Sequence, residues 1–237
     1  MLQGRNLKDR KKRKSRKKLR RLCWLLATIV AAVFVLSLLL YKPAHYNPPE
    51  VLDEKEVPKY LTHVLGPAFN NGVQRGEPFD LIVTQTGINE VLAWSYKHKW
   101  SKQFGDISFS APEVVFTSDT ITLMGAVTVV GREFVVTVIA KPALSQDGLL
   151  NLNVAKIKIG AVNITLIARI IANVAYRKRL ETKPIDKDDV RAKIAASLLS
   201  NVPFDPVFPV EDRKVRLKKV TIRQKELLLR FAPFPSS

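Results

Sequence analysis

Few side chains in this chain have the types and spacing that chemistry requires. The histidines are His45, His63 and His98, and the single cysteine is Cys23. No His sits in an H-E-x-x-H run, and neither His63 nor His98 has a Cys nearby, so metal ligation finds no support in the pattern. The sequence holds no G-x-S-x-G elbow, no P-loop and no G-x-G-x-x-G turn, and Cys23 lies in an apolar run where no His can activate it. The cluster Asp186-Lys187-Asp188-Asp189 reads as the first turn of a helix, where carboxylates suit the dipole, in preference to a metal cage. Asn163-Ile164-Thr165 matches the glycosylation sequon, which matters only in a secretory pathway that glycosylates. No catalytic residue, metal ligand or cofactor emerges, and the expectation is a protein that is not an enzyme.

The elements that would position any other activity begin with a charge boundary. The first 21 residues hold 12 basic and 1 acidic side chain, against 27 and 20 in the remainder, within a formal net charge of +18. Residues 22–41 (LCWLLATIVAAVFVLSLLLY) carry no charge. At 1.5 Å rise per residue, about 20 residues span ~30 Å, the thickness of a bilayer's hydrocarbon core. The run is apolar all round, unlike a core helix with one buried face. It is longer than the apolar region of a cleaved leader, and no small-residue cleavage pattern follows it. The expectation is a transmembrane helix over 22–41 with residues 1–21 as a basic cytoplasmic tail, the N-terminus inside by the positive-inside rule. Arg20 and Arg21 with Trp24 at one end, and Tyr41 at the other, would anchor it at the two interfaces. The tail matches anionic lipid headgroups, at about 1 kcal/mol per basic residue near the surface. Nucleic acid is a poorer match, since the tail offers no aromatic ring for base stacking. Cys23, unable to form an intrachain disulfide, is placed where S-palmitoylation is chemically feasible.

Residues 42–58 contain Pro43, Pro48, Pro49 and Pro58 and read as a semi-rigid extended linker. Residues 59–237 suit one extracytoplasmic domain. It opens with a helical piece over 59–65, stopped by Gly66-Pro67, then a turn-rich stretch at Asn70-Asn71-Gly72. A strand over 79–83 leads, through Thr84 or Thr86 as N-cap, into a helix over about 88–97. Strands over 113–117, 120–130, 133–141 and 149–159, joined by short polar turns, read as an antiparallel meander. A helix over about 165–180 carries Leu166, Ile167, Ile170, Ile171 and Val174 at helical spacing, and a second follows Asp186 to about Leu199. Strands over 215–223 and 227–231 close the chain.

Two strands change the phase of their alternation. Leu150, Leu152 and Val154 share one parity, whereas Ile157 and Ile159 share the other, so the slip falls near Ala155. Val215 and Leu217 slip in the same way against Val220 and Ile222. Because side chains alternate with period two, each slip requires a β-bulge or a change of face, and bulges curl a sheet.

The order of elements is similar to a known group. The segment Phe79-Asp80-Leu81-Ile82-Val83-Thr84 leads into Gly87-Ile88-Asn89-Glu90-Val91-Leu92. Meandering strands with a Gln146-Asp147-Gly148 turn, Ile157-Lys158-Ile159-Gly160, an apolar helix and two terminal strands follow. Over about residues 55–232, plus the anchor, this resembles the YpmS-like single-pass bacterial membrane proteins and the wider tubular lipid-binding (TULIP) group. The resemblance implies an α+β fold in which a transmembrane helix precedes a long curved antiparallel sheet wrapped around an amphipathic helix. It also implies an apolar groove for acyl chains and no catalytic residues. Val127, Val129, Val136, Val138, Ile167 and Ile170 would line that groove, or would pack as an ordinary filled core. The functional expectation is a non-catalytic inner-membrane protein that holds or transfers membrane lipid. The alternatives are an envelope scaffold docking a protein partner, and a basic tail that binds nucleic acid.

Overall fold

A computed structural model describes residues 3–48, 57–96, 107–110, 112–182 and 190–235. Helix α1 (Gln3–Leu39) carries the basic tail and the apolar run on one continuous backbone. A π-helical turn (Tyr60–Leu65) runs directly into α2 (Gly66–Arg75). Gly66-Pro67 therefore does not stop the helix, as the sequence suggested, and Asn70-Asn71-Gly72 lies within α2. Pro67 falls at the point where the helix changes from π to α geometry, with the Gly66 N–H still donating back to the Leu61 carbonyl. Gly72 is required by close approach: a Cβ there would strike the Phe79 ring.

Strand β1 (Phe79–Thr84) hands over to α3 (Gln85–Ser95) through Thr84, whose Oγ1 accepts the Gly87 N–H at 3.2 Å. Then come β2 (Ile107–Phe109), β3 (Glu113–Thr117), β4 (Thr120–Val129), β5 (Arg132–Ala140), β6 (Ala143–Leu144), β7 (Leu150–Asn151), β8 (Val154–Ile159) and β9 (Val162–Asn163). Helices α4 (Thr165–Thr182) and α5 (Val190–Ser200) follow, and β10 (Val207–Val210), β11 (Arg213–Arg223) and β12 (Glu226–Phe234) end the domain. The expected start of α5 after Asp186 falls outside the described residues.

The class is α+β with antiparallel sheets. The strands do not form one sheet: β1-β12-β11-β10 make a first, β2-β4-β5-β8-β9 with β3 also on β4 a second, and β6-β7 a small third. The expected single strand over 149–159 is divided between the third and second sheets. Leu150 instead exchanges backbone bonds with Phe204, at 2.8 and 3.0 Å. Both phase slips are bulges. Ile139 pairs with Lys156 and Ala140 with Val154, leaving Ala155 extra. Leu217 pairs with Phe231 and Lys219 with Arg230, leaving Lys218 extra. Each extra residue restores its apolar neighbours to one face.

The main core lies between the first sheet, α2, α3 and β3. Val73, Leu81, Val83, Val114, Phe116, Val215, Leu217, Ile222 and Phe231 are buried in it. Phe69, Phe79 and Phe208 ring Phe231 at centroid distances of 5.4–6.0 Å. Helix α3 also finishes the free edge of β3. Asn89 Nδ2 donates to the Val114 carbonyl (2.9 Å), the Val114 N–H donates to Asn89 Oδ1 (2.7 Å), and the Phe116 N–H donates to Gln85 Oε1 (2.9 Å). Side-chain amides thus stand in for a neighbouring strand, which removes an edge open to foreign pairing.

Candidate lipid-facing surface

The apolar part of α1, Arg20–Leu39, has mean hydropathy 2.7, and no residue of the window that qualifies it as a span is buried. Its hydroxyls are satisfied by its own backbone: Thr28 Oγ1 donates to the Trp24 and Leu25 carbonyls, and Ser37 Oγ to that of Phe34. Hydrocarbon demands this internal pairing, having no water to offer. Arg20, Arg21, Trp24 and Tyr41 all stand exposed near the two ends of the run. The helix is compatible with a single-pass membrane anchor.

The chain after α1 does not trail away from it. Residues 42–48, the first part of the expected linker, turn back through a Tyr46 N–H to Pro43 carbonyl bond (3.0 Å) and pack on the second sheet. Tyr46 is buried against Met124, Ala126 and Val135. Its hydroxyl bonds Ser110 Oγ and accepts the Ala126 N–H at 3.0 Å. The Asn47 N–H donates to Glu113 Oε2 at 2.6 Å, and Lys42 Nζ lies 5.5 Å from the centre of the Tyr46 ring. Residues 49–56 of the linker lie outside the described residues.

A second contact fixes the end of α1 itself. The Ala161 N–H, in the β8–β9 turn, donates to the Leu38 carbonyl at 2.8 Å. Gly160 (φ +56°) makes this possible, since a Cβ there would collide with the Leu38 and Leu39 carbonyls. Tyr41, Pro43, His45, Met124, Thr137 and Lys158 line a cleft of about 300 Å³ beside this junction.

The opposite face of the second sheet is apolar. The registers Val127↔Phe134, Gly125↔Val136, Leu123↔Val138, Val136↔Ile159 and Val138↔Ile157 place Val127, Val129, Val136 and Val138 together, with Leu123, Phe134, Ile157 and Ile159 beside them. At the β3 end this face continues into the main core through Val114 and Phe116, which pair with Leu123 and Ile121. Away from that end Val127, Val136 and Val138 are only half-buried and Val129 is exposed, as is Leu123 beside β3. The four valines are therefore brought onto one open apolar surface.

Ile167 and Ile170 are placed elsewhere. Helix α4 approaches β8 with its Arg169 and Ala172 side: Arg169 Nη2 donates to the Val154 carbonyl (2.7 Å), and a cleft of about 300 Å³ is lined by Val154, Ile157, Arg169, Ala172 and Leu198. Leu166, Ile167, Ile170, Ile171 and Val174 point the other way and are 60–77 % exposed. Tyr46 and Gly160 carry no motif that marks them in the sequence. The available signal is a lone aromatic among linker prolines, and a glycine directly after an apolar strand end.

Among the described residues no three His, Cys, Asp or Glu side chains converge in a way that could hold a metal ion. No protein-family model matches the chain, and a search of curated proteins finds no match.

Proposed function

We propose that this is a single-pass membrane-anchored, non-catalytic protein whose extracytoplasmic domain receives a lipid acyl chain on the open apolar face of its second sheet. The N-terminus is cytoplasmic by the positive-inside rule, and residues 1–21 lie against anionic headgroups. One observation carries the reading. The surface bearing Val127, Val129, Val136 and Val138 is continuous with the core yet uncovered at its far end, in a domain held against the end of the anchor. Exposed apolar surface of this kind marks a binding site more often than idle exterior. Burying acyl methylenes there is worth about 0.8 kcal/mol each, which suits holding or handing over lipid without chemistry on it. The YpmS-like and tubular lipid-binding resemblance belongs to this proposal. So does its curved architecture, in which the bulged second sheet curls about the alanine-bearing side of α4.

The test is photo-crosslinking of the full chain in nanodiscs containing a phospholipid with a photoactivatable acyl chain. Adducts on β4 and β5, reduced in Val136→Glu, are expected. Adducts confined to residues 22–41 would remove the groove. A domain that instead crosslinks to one protein would support the envelope-scaffold reading.

A further inference from the structure

We propose that α4 lies in the headgroup–acyl boundary of the membrane that α1 spans, with its apolar stripe turned into the lipid. At about 100° per residue, Leu166, Ile167, Ile170, Ile171 and Val174 occupy a continuous arc of roughly 140°. The half-buried Ala168 and Ala172 sit on the other side, and Ala172 lines the cleft shared with β8 and the end of α5. Five large apolar side chains at 60–77 % exposure form a single patch on one helix. Soluble surfaces rarely leave contiguous apolar patches beyond a few hundred Å² uncovered.

The chain itself identifies what covers this patch. Ala161 is hydrogen-bonded to Leu38, in the last turn of the apolar run, and α4 begins at Thr165. Four residues reach at most about 14 Å even when fully extended, so α4 starts at the boundary where the anchor leaves the hydrocarbon. That start is held in place. Ile159 pairs with Val162, the Ile164 N–H donates to the Ile157 carbonyl (2.9 Å), and Thr165 Oγ1 accepts the Ile157 N–H (2.9 Å). Arg177-Lys178-Arg179 follow in the same helix, the charge expected of an interfacial helix on anionic lipid. An apolar stripe, a basic end and an origin at the bilayer edge together select a lipid surface over a protein groove.

The inference rests on the anchor reading, and the experiment separates the two. The full chain, with Cys23→Ser, is placed in nanodiscs of phosphatidylcholine and phosphatidylglycerol. It is spin-labelled singly at Ile170→Cys, at Val33→Cys in the anchor, or at Gln146→Cys in an exposed turn. Collision with oxygen, which enriches in lipid, is compared with collision with a water-soluble nickel chelate. The label at position 170 is expected to be several-fold less accessible to nickel than that at 146, and shallower than that at 33. A label at 170 as nickel-accessible as that at 146, with 33 deep in lipid, overturns the inference and leaves the anchor standing. Protection of 170 from both reagents overturns it in favour of a protein cover, whether a second copy or a partner. Nickel access at both 33 and 170 removes the anchor reading and this inference with it.

Discussion

Replacing Tyr46 with alanine should free the anchor from the domain while the sheets stay folded. The phenol is 4 % exposed and packs on Met124, Ala126 and Val135, and truncating a buried aromatic to alanine costs about 3–5 kcal/mol. The other links at the junction are smaller one by one. Lys42 and Glu133 approach to 3.9 Å with both side chains about half exposed, a pair worth about 0–1 kcal/mol. The Asn47 N–H bond to the Glu113 carboxylate, at 2.6 Å, adds about 1.5–3 kcal/mol, and the Ala161–Leu38 bond about 0.5–1.5 kcal/mol. Tyr46 is thus the strongest single link between anchor and sheet. Its loss lowers the ratio of docked to undocked anchor by about two to three and a half orders of magnitude, at 1.4 kcal/mol per tenfold. Tyr46→Phe is the control. It keeps the ring, and the Ala126 N–H keeps Ser110 Oγ as acceptor at 2.9 Å, so the cost is about 0.5–1.5 kcal/mol. The assay is the distance distribution between spin labels on the native Cys23 and on Gln146→Cys, measured on the full chain in nanodiscs. Wild type and Tyr46→Phe should give one narrow distribution, and Tyr46→Ala a broad one. A narrow, unshifted distribution in a folded Tyr46→Ala protein would refute the claim that this side chain holds the anchor to the sheet.

Three further substitutions probe other joints. Gly160→Ala puts a Cβ at φ +56°, at about 1–2 kcal/mol for the left-handed backbone alone, and against the Leu38 and Leu39 carbonyls. It should broaden the same spin-label distance and lower the urea midpoint. Asn89→Ala removes the partners of both the N–H and the carbonyl of Val114, a buried residue of β3. At about 1–3 kcal/mol for each unsatisfied group, unfolding free energy should drop by several kcal/mol, and a drop below about 1 kcal/mol would show that α3 does not finish that edge. Val130→Asn should raise Tm, because Val130 is a β-branched residue at φ +49° in the Val130-Gly131 hairpin turn, where asparagine sits with little strain. An unchanged or lower Tm would count against strain at that turn.

Much of the second sheet is legible in the sequence because alternation is a strict code. Parity alone places one slip near Ala155 and another between Leu217 and Val220, where the bulges at Ala155 and Lys218 lie, and of the two candidate caps Thr84 and Thr86 it is Thr84 that caps α3. The misses have physical causes. Gly66-Pro67 reads as a breaker, but the chain passes it by changing from a π to an α turn there. Strand β10 escapes a reading by pattern because Pro209 argues against pairing, yet β10 is an edge strand, where a missing N–H can be tolerated. Ile167 and Ile170 do not share a surface with the valines, because helical periodicity identifies a stripe without saying what it faces. Tyr46 is hidden because its partners, Ser110 and Ala126, lie 64 and 80 residues away.

The bulge at Ala155 also separates two kinds of surface. Were β8 to continue in the phase set by Leu150, Leu152 and Val154, Lys156 and Lys158 would turn onto the apolar face, and Ile157 and Ile159 onto the side where Tyr46 packs. One extra residue reverses this. Ile157 and Ile159 join Val136 and Val138, while Lys156 and Lys158 pair with Ile139 and Thr137 on the anchor side. Lys158 then lines the cleft beside Tyr41 and His45, next to the point where α1 ends. A cation is well placed where phosphates gather, and poorly placed on a surface meant for acyl chains. The same residue that bends the strand therefore sorts charge toward the end of α1 and apolar surface away from it.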